Sequence, residues 1–346
     1  MDLSVLIPAR NEEFLSRTVE NILQNIRGKT EILVGLDGEW SNPPIKDDPR
    51  VSIIYHNESV GQRAMTNDLC KLSKAKYVMK IDAHCSVDEG FDVKMIEAME
   101  GHSDWTMIPA LYNLHAFNWK CKKCGNEWYQ SPIPTHCQLP GEARQDNPNC
   151  DNTTDFERIM IWQPRLGRRN ENYRFDTTLH FQYHRNWTRE HPEGDLIETM
   201  SAQGSCFMLT RKKYWELDIC DENFGSWGQQ GTEIACKTWL SGGRLVTNRK
   251  TWYSHMFRTQ GGTFGFPFPL DGTQVDHARR YSRELFLENT WPLQKYPLSW
   301  LIEKFNPLPQ WHNPDGKQTP EQKEVADHVA EKGKEFYEKG NNLLHI

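Results

Sequence analysis

The chain opens with a short apolar run, Leu3 to Ile7, stopped by Pro8. Polar Asn11-Glu12-Glu13 follows, and then apolar residues at Leu15, Val19, Ile22, Leu23 and Ile26. Spacings of three and four place that second set on one face of a helix, and Gly28 marks its end. A second apolar strand, Glu31 to Leu36, closes on Asp37-Gly38, and a third spans Val51 to Tyr55. A helix from about Gly61 to Leu72 leads to a fourth strand at 77 to 81. Strands alternating with helices predict an α/β, Rossmann-like sheet, mostly parallel, with helices on both faces.

Ligands bind such sheets beyond the carboxyl ends of the strands, so Pro8, Asp37 and Asp82 are expected along one edge. Asp82 and His84 lie two apart at the end of the fourth strand, where alternate residues point the same way and can converge on one divalent ion. A polar turn would use the same residues. Arg63, in the first turn of the helix that Gly61 opens, is either a charge facing that edge or a solvated helix residue. Asp37-Gly38 is either part of the site or only a turn.

Residues 118 to 155 differ in character. Cys121-Lys122-Lys123-Cys124-Gly125 is a Cys-x2-Cys knuckle, and Cys137 and Cys150 each follow after a spacer of twelve residues. Four soft ligands at zinc-ribbon-like spacing in a proline-rich stretch with little core predict a structural zinc, with His136 competing with Cys137 as third ligand. A basic run, Arg165 to Asn170 around Arg168, reads as a solvated loop or as a surface facing phosphate. The glycine-rich Phe224 to Glu233 opens a helix that Gly242-Gly243 ends, and the strand Arg244-Leu245-Val246 follows. His255 is a third candidate ligand, ahead of Gln260-Gly261-Gly262-Thr263-Phe264-Gly265, which suits an active-site lid. A proline-rich tail precedes a helix signalled by Thr319, Pro320 and Gln322. The expected division is 1–290 for the main domain, with 118–155 as a zinc-binding insert, and 291–346 for a C-terminal extension.

Composition narrows the class. The chain has 346 residues, 37% hydrophobic and 25% charged, with 15 Phe, 13 Trp and 11 Tyr to build a core. No stretch reaches the roughly 20 apolar residues of a membrane span. The start lacks a signal-peptide pattern, so a cytoplasmic chain with no membrane partner is expected. Nine cysteines then point to metal or burial, not to a disulfide framework. A net charge of -6 argues against wholesale coating of nucleic acid.

Several of these pieces occur together in a known order. Ser4-Val5-Leu6-Ile7-Pro8 with Asn11-Glu12, Gly61 with Arg63-Ala64, Asp82-Ala83-His84-Cys85, Trp227-Gly228, Gly242-Gly243 and Ser254-His255-Met256-Phe257-Arg258 resemble the polypeptide N-acetylgalactosaminyltransferases and, more broadly, family 2 type glycosyltransferases. The resemblance implies a GT-A fold and a metal-dependent transferase that uses a UDP-sugar. It implies that Asp82, His84 and His255 hold manganese (or magnesium) at the diphosphate, that Pro8, Glu12, Asp37 and Arg63 lie along the nucleotide, and that Arg258 adds charge stabilisation.

One departure stands out. The family's Trp-Gly-Gly-Glu-Asn is here Trp227-Gly228-Gln229-Gln230-Gly231, so an amide, Gln230, replaces the acid that meets the donor sugar. Glu233 is the carboxylate left in that stretch to serve as a base; if it only orients the site, a retaining reaction fits better. The lectin domain and membrane anchor of those transferases are expected to be absent. The acceptor is therefore open. The insert and the basic run allow a modified base in DNA, with a glycan or protein as alternatives. A rival expectation is a catalytically inactive nucleotide-binding scaffold carrying a zinc-ribbon binding module.

Overall fold

The computed structural model describes residues 1–142, 144–167, 169–258, 264–268 and 272–343. The first third follows the hydrophobic pattern: β1 (Leu3–Ala9), α1 (Leu15–Asn25), β2 (Thr30–Asp37), β3 (Val51–His56), α2 (Gln62–Leu72) and β4 (Tyr77–Ile81). These strands lie in the order β3-β2-β1-β4, all parallel. Pro8 does not stop β1. Pairing to β4 ends at Leu6–Lys80, so Pro8 meets only β2, opposite Gly35, and its missing N–H leaves no ladder bond unmade on the other side.

The chain continues through β5 (Cys85–Val87), α3 (Phe91–Met99) and the 17-residue β6 (Trp105–Cys121), then β7 (Glu127–Tyr129) and β8 (Phe156–Pro164). After β8 come β9 (Tyr173–Phe175), β10 (Phe181–Tyr183), α4 (Arg185–Glu190), β11 (Leu196–Glu198), β12 (Cys206–Thr210) and α5 (Arg211–Glu216). Next are α6 (Gln230–Leu240), β13 (Arg244–His255), α7 (Gly272–Phe286), α8 (Leu298–Lys304) and α9 (Pro320–Leu343).

The sheet is mixed beyond its parallel half. β12 runs antiparallel between β4 and β6, while β13 lies parallel to β6 and carries β11 and β5 on it, both antiparallel. The short strand expected at 244–246 is thus only the start of a 12-residue one, which delivers His255 to the same end of the sheet as Asp82. β6 leaves the main sheet at Leu114 and pairs with β7 and β8 instead, forming the stalk of the cysteine-bearing insert. The central strands are sealed: every residue of β4 and of β12 is buried. At the C-terminal end Thr319 and Gln322 cap α9 reciprocally, and Trp311 donates to Phe175 O at 3.0 Å. No helix among the described residues is long and apolar enough to cross a membrane.

Candidate active site

The carboxyl ends of β1, β2 and β4 and the end of β13 open on a cleft of about 500 Å³ whose walls include Pro8, Glu12, Asp37, Asp82, His84, His255 and Arg258. A smaller pocket of about 210 Å³ shares Asp82, Gln203 and Trp227 with it and extends to Gln229, Gln230 and Arg279.

Asp82, His84 and His255 meet where the two spaces join. Asp82 Oδ2 is 3.2 Å from His255 Nε2, and the Nε2 atoms of the two imidazoles are 3.1 Å apart. Both His84 and His255 are buried, whereas Asp82 is 22% exposed and looks into the cleft. Burial pushes His255 down to about 4, against the pull of Asp82, so its imidazole is neutral at neutral pH. Burial alone would raise the Asp82 carboxyl, but the charge of Lys80 and the hydrogen bond from His255 hold it well below the usual range. His84 Nδ1 lies 3.2 Å from Glu12 Oε2, an outer carboxylate of the kind that leaves Nε2 as the ligating nitrogen. His255 Nδ1 is buried without a partner, so all of that ring's polar contacts run through Nε2. One carboxylate and two imidazoles facing a cleft fit a divalent ion with mixed oxygen and nitrogen preference.

Glu12 bridges this group to Arg258, whose guanidinium pairs with Glu12 Oε1 and stacks 4.1 Å over Phe264. Arg258 thus lines the cleft beside the imidazoles with its charge paired to Glu12. The expected lid, Gln260 to Gly265, lies mostly outside the described residues; Phe264 packs edge-on against His84 with ring centroids 5.0 Å apart.

Two expectations need correction, those for Arg63 and Glu233. Asp37 borders the cleft where it was expected, and its oxygens also accept from Val60 N (2.6 Å), Gly61 N (3.0 Å) and Ser59 Oγ (2.8 Å). It is a clamp on the loop before α2. Gly61 there has a φ of +91°, and a Cβ would come within 2.6 Å of Ser226, so only glycine fits.

Arg63 does not face a phosphate. It is 1% exposed and turns inward, with Nη2 3.0 Å from Glu233 Oε2 and 2.7 Å from Gly228 O.

Glu233 is fully buried between Arg63 and Lys237 and accepts from Asp221 N at 2.8 Å. Enclosed on every side by donors, it cannot reach an acceptor hydroxyl and does not supply a base. Its job and that of Arg63 is to hold the loop bearing Trp227 against the cleft. Gln230, by contrast, stays at the site: it lines the smaller pocket, Nε2 donates to Cys220 Sγ at 3.1 Å, and Oε1 is buried with no partner.

The fold at this cleft matches a solved one. The crystal structure of GalNAc-T7 with UDP, GalNAc and Mn2+ superposes with a TM-score of 0.57 at 15% identity, covering 83% of this chain and 49% of that one. The family description "Glycosyl transferase family 2" matches residues 4–138. Two Drosophila melanogaster proteins are similar in sequence. One, provisionally named polypeptide N-acetylgalactosaminyltransferase 13, is 21% identical over 88% of this chain and 49% of its own length. The other, polypeptide N-acetylgalactosaminyltransferase 3, is 28% identical over 25% of this chain and 13% of its own. Over residues 4–138 the chain is similar to the family 2 glycosyltransferases. It spans about half the length of the fullest-matching of these relatives and has the GT-A architecture.

The cysteine insert grows out of the main sheet where β6 leaves it. Cys121, Cys124, Cys137 and Cys150 bring their sulfurs within 4.8 Å of one another, with pairs at 3.8 Å (Cys121–Cys150) and 3.4 Å (Cys124–Cys137). All four are free thiols. A tetrahedral zinc with bonds of about 2.3 Å has ligand edges near 3.8 Å, which these spacings approach. His136 is not in the group; its Nδ1 contacts Thr135. The basic run is neutralised where it is described: Arg165 pairs with Glu142 and Arg169 with Glu171, while Arg168 lies outside the described residues. Among the described residues of the run, both arginines are paired.

Two site residues escaped the sequence reading. Lys80 is 1% exposed and its Nζ pairs with Asp82 Oδ1. Its signal was present, as a lone lysine in the otherwise apolar strand Tyr77–Ile81. Arg10 lines the cleft with its guanidinium 4.6 Å over Phe268. Nothing in its local sequence distinguishes it from a solvated residue.

Proposed function

We propose that this chain is a glycosyltransferase that takes its sugar from a UDP-sugar, with Asp82, His84 and His255 holding manganese, or magnesium, at the diphosphate. The convergence of those three side chains at the cleft carries the proposal. GalNAc-T7, which shares the fold, was solved with UDP, GalNAc and Mn2+. A cation bound there would neutralise charge on the departing diphosphate. Glu12 and Arg258 keep the imidazoles oriented, and Asp37 keeps the loop before α2 in place beside the nucleotide. The smaller pocket receives the sugar, where the unpartnered Gln230 Oε1 takes a hydroxyl.

The sealed environment of Glu233 favours retention of anomeric configuration, since an inverting reaction needs a base at the acceptor hydroxyl. The four cysteines hold a structural zinc that organises the insert. The paired arginines around residue 168 give no support to a DNA acceptor, which leaves the acceptor a matter for experiment.

The test is a panel of UDP-sugars incubated with the chain, with and without Mn2+, and with Asp82→Ala alongside. Metal-dependent release of UDP, lost in the variant, is expected. Turnover indifferent to metal and to Asp82→Ala would sink the reading, and the anomeric proton of any transferred sugar reports the stereochemistry.

A further inference from the structure

The charge balance around the three ligands turns on Lys80. Lys80 and Asp82 are alternate residues of an extended segment and so share a face. Lys80 Nζ pairs with Asp82 Oδ1 and donates to Gly204 O at 3.3 Å. Oδ1 is thereby occupied, and Oδ2 is the oxygen turned toward the imidazoles, 3.2 Å from His255 and 3.9 Å from His84.

Imidazoles ligate in the neutral form, so the three ligands together carry a single negative charge, that of Asp82. The ammonium of Lys80 cancels it. The next carboxylate outward, Glu12, is paired with Arg258, and Asp37 has its oxygens on Val60, Gly61 and Ser59. Arg10, on the cleft wall, adds a further cation. The protein therefore presents a divalent ion with good donor atoms but no net negative charge.

We infer that Lys80 is a positioning residue and counter-charge that makes the site hold a divalent cation firmly only together with an anionic ligand. Metal and nucleoside diphosphate then enter as an interdependent pair. This rests on the donor reading above. The physical basis is that two cations a few ångströms apart in a partly desolvated site repel strongly, and the two negative phosphates of the ligand supply what the protein withholds. By linkage, whatever factor UDP adds to Mn2+ affinity, Mn2+ adds to UDP affinity.

The experiment measures Mn2+ binding to the full chain by paramagnetic resonance of the free ion, with and without UDP, for the wild type, Lys80→Met and Lys80→Gln. In the wild type UDP should tighten Mn2+ by at least about tenfold. Both variants should bind Mn2+ alone about tenfold more tightly than the wild type, and the gain from UDP should shrink by a similar factor. Lys80→Gln keeps a polar group at the buried position, and a melting curve on each variant confirms folding. Variants that bind Mn2+ alone no better than the wild type overturn the inference, as does a wild type whose Mn2+ affinity ignores UDP. A wild type that takes up no Mn2+ even with UDP overturns the donor reading itself, and this inference with it.

Discussion

The two clusters of candidate metal ligands are built in opposite ways. Asp82 and His84 follow the short β4 and His255 ends the 12-residue β13, all in an 11-stranded sheet, and the trio is open to the cleft. Cys121, Cys124, Cys137 and Cys150 sit at the tip of a stalk, with a core of little more than Trp119, Trp128 and Phe156 around them. The trio is placed by the fold, whereas the cysteines, holding the proposed zinc, would place the fold of their own segment. Three ligands with an open position suit chemistry, and four soft ligands with none suit structure. Removing the ligands should therefore do opposite things: loss of binding with the fold intact at one cluster, loss of local fold at the other.

The largest effect is expected at the cysteines. Structural zinc in small peptides binds with about 10–16 kcal/mol, nearly all of it folding energy for the segment concerned. Cys137→Ser should release the zinc, measured as metal per chain by emission spectroscopy, and open residues 121–155 to protease while the main melting transition persists. His136→Ala should retain it. A metal ratio unchanged in Cys137→Ser, or lost in His136→Ala, breaks the closed half of the comparison.

Next comes Glu233, which belongs to neither cluster. Glu233→Ala leaves Arg63 and Lys237 buried without their shared partner, a change that costs about 3–5 kcal/mol. The melting temperature should fall sharply, with activity lost only in proportion to unfolding; a stable but inactive protein would return Glu233 to the chemistry. Asp82→Ala is expected to cut UDP-sugar turnover at least a hundredfold, about 3 kcal/mol in barrier, with little change in melting temperature. A large stability loss there would mean that the trio, too, is structural.

These contrasts also mark what the chain discloses on its face. β1 to β4 were legible because each is a short, mostly apolar run, and Asp82 with His84 because alternation along an extended segment is local. The place of β12, antiparallel between β4 and β6, was not legible, since a strand's neighbour is chosen by the tertiary fold. The same holds for Arg63 and Glu233. A charge beside a glycine-opened helix reads alike whether it faces solvent or a partner 170 positions away, and here the partner decides. Lys80 was missed although its signal was local: a cation inside an apolar strand is costly unless paired, and the pair is two residues on.

The smallest effect separates acid lability of the fold from that of the site. His184, between β10 and α4, is 6% exposed and stacks on Trp187 with centroids 5.7 Å apart. Burial, with the charges of Arg174 and His191, pushes it from 6.5 down to about 4. Between those values the unfolded chain binds the proton that the folded chain refuses, so stability rises with pH through this window. The contribution is complete above pH 6.5 and is lost as pH falls to 4, amounting to no more than about 3 kcal/mol. Urea unfolding of the wild type and of His184→Gln should therefore diverge in slope between pH 6.5 and 4, the variant losing less. His184 touches neither cluster, so Mn2+ binding measured at pH 7.5 should be the same in both proteins. Parallel stability profiles would show that His184 takes up its proton in the fold as readily as in the unfolded chain. The acid response would then have to be sought at the trio.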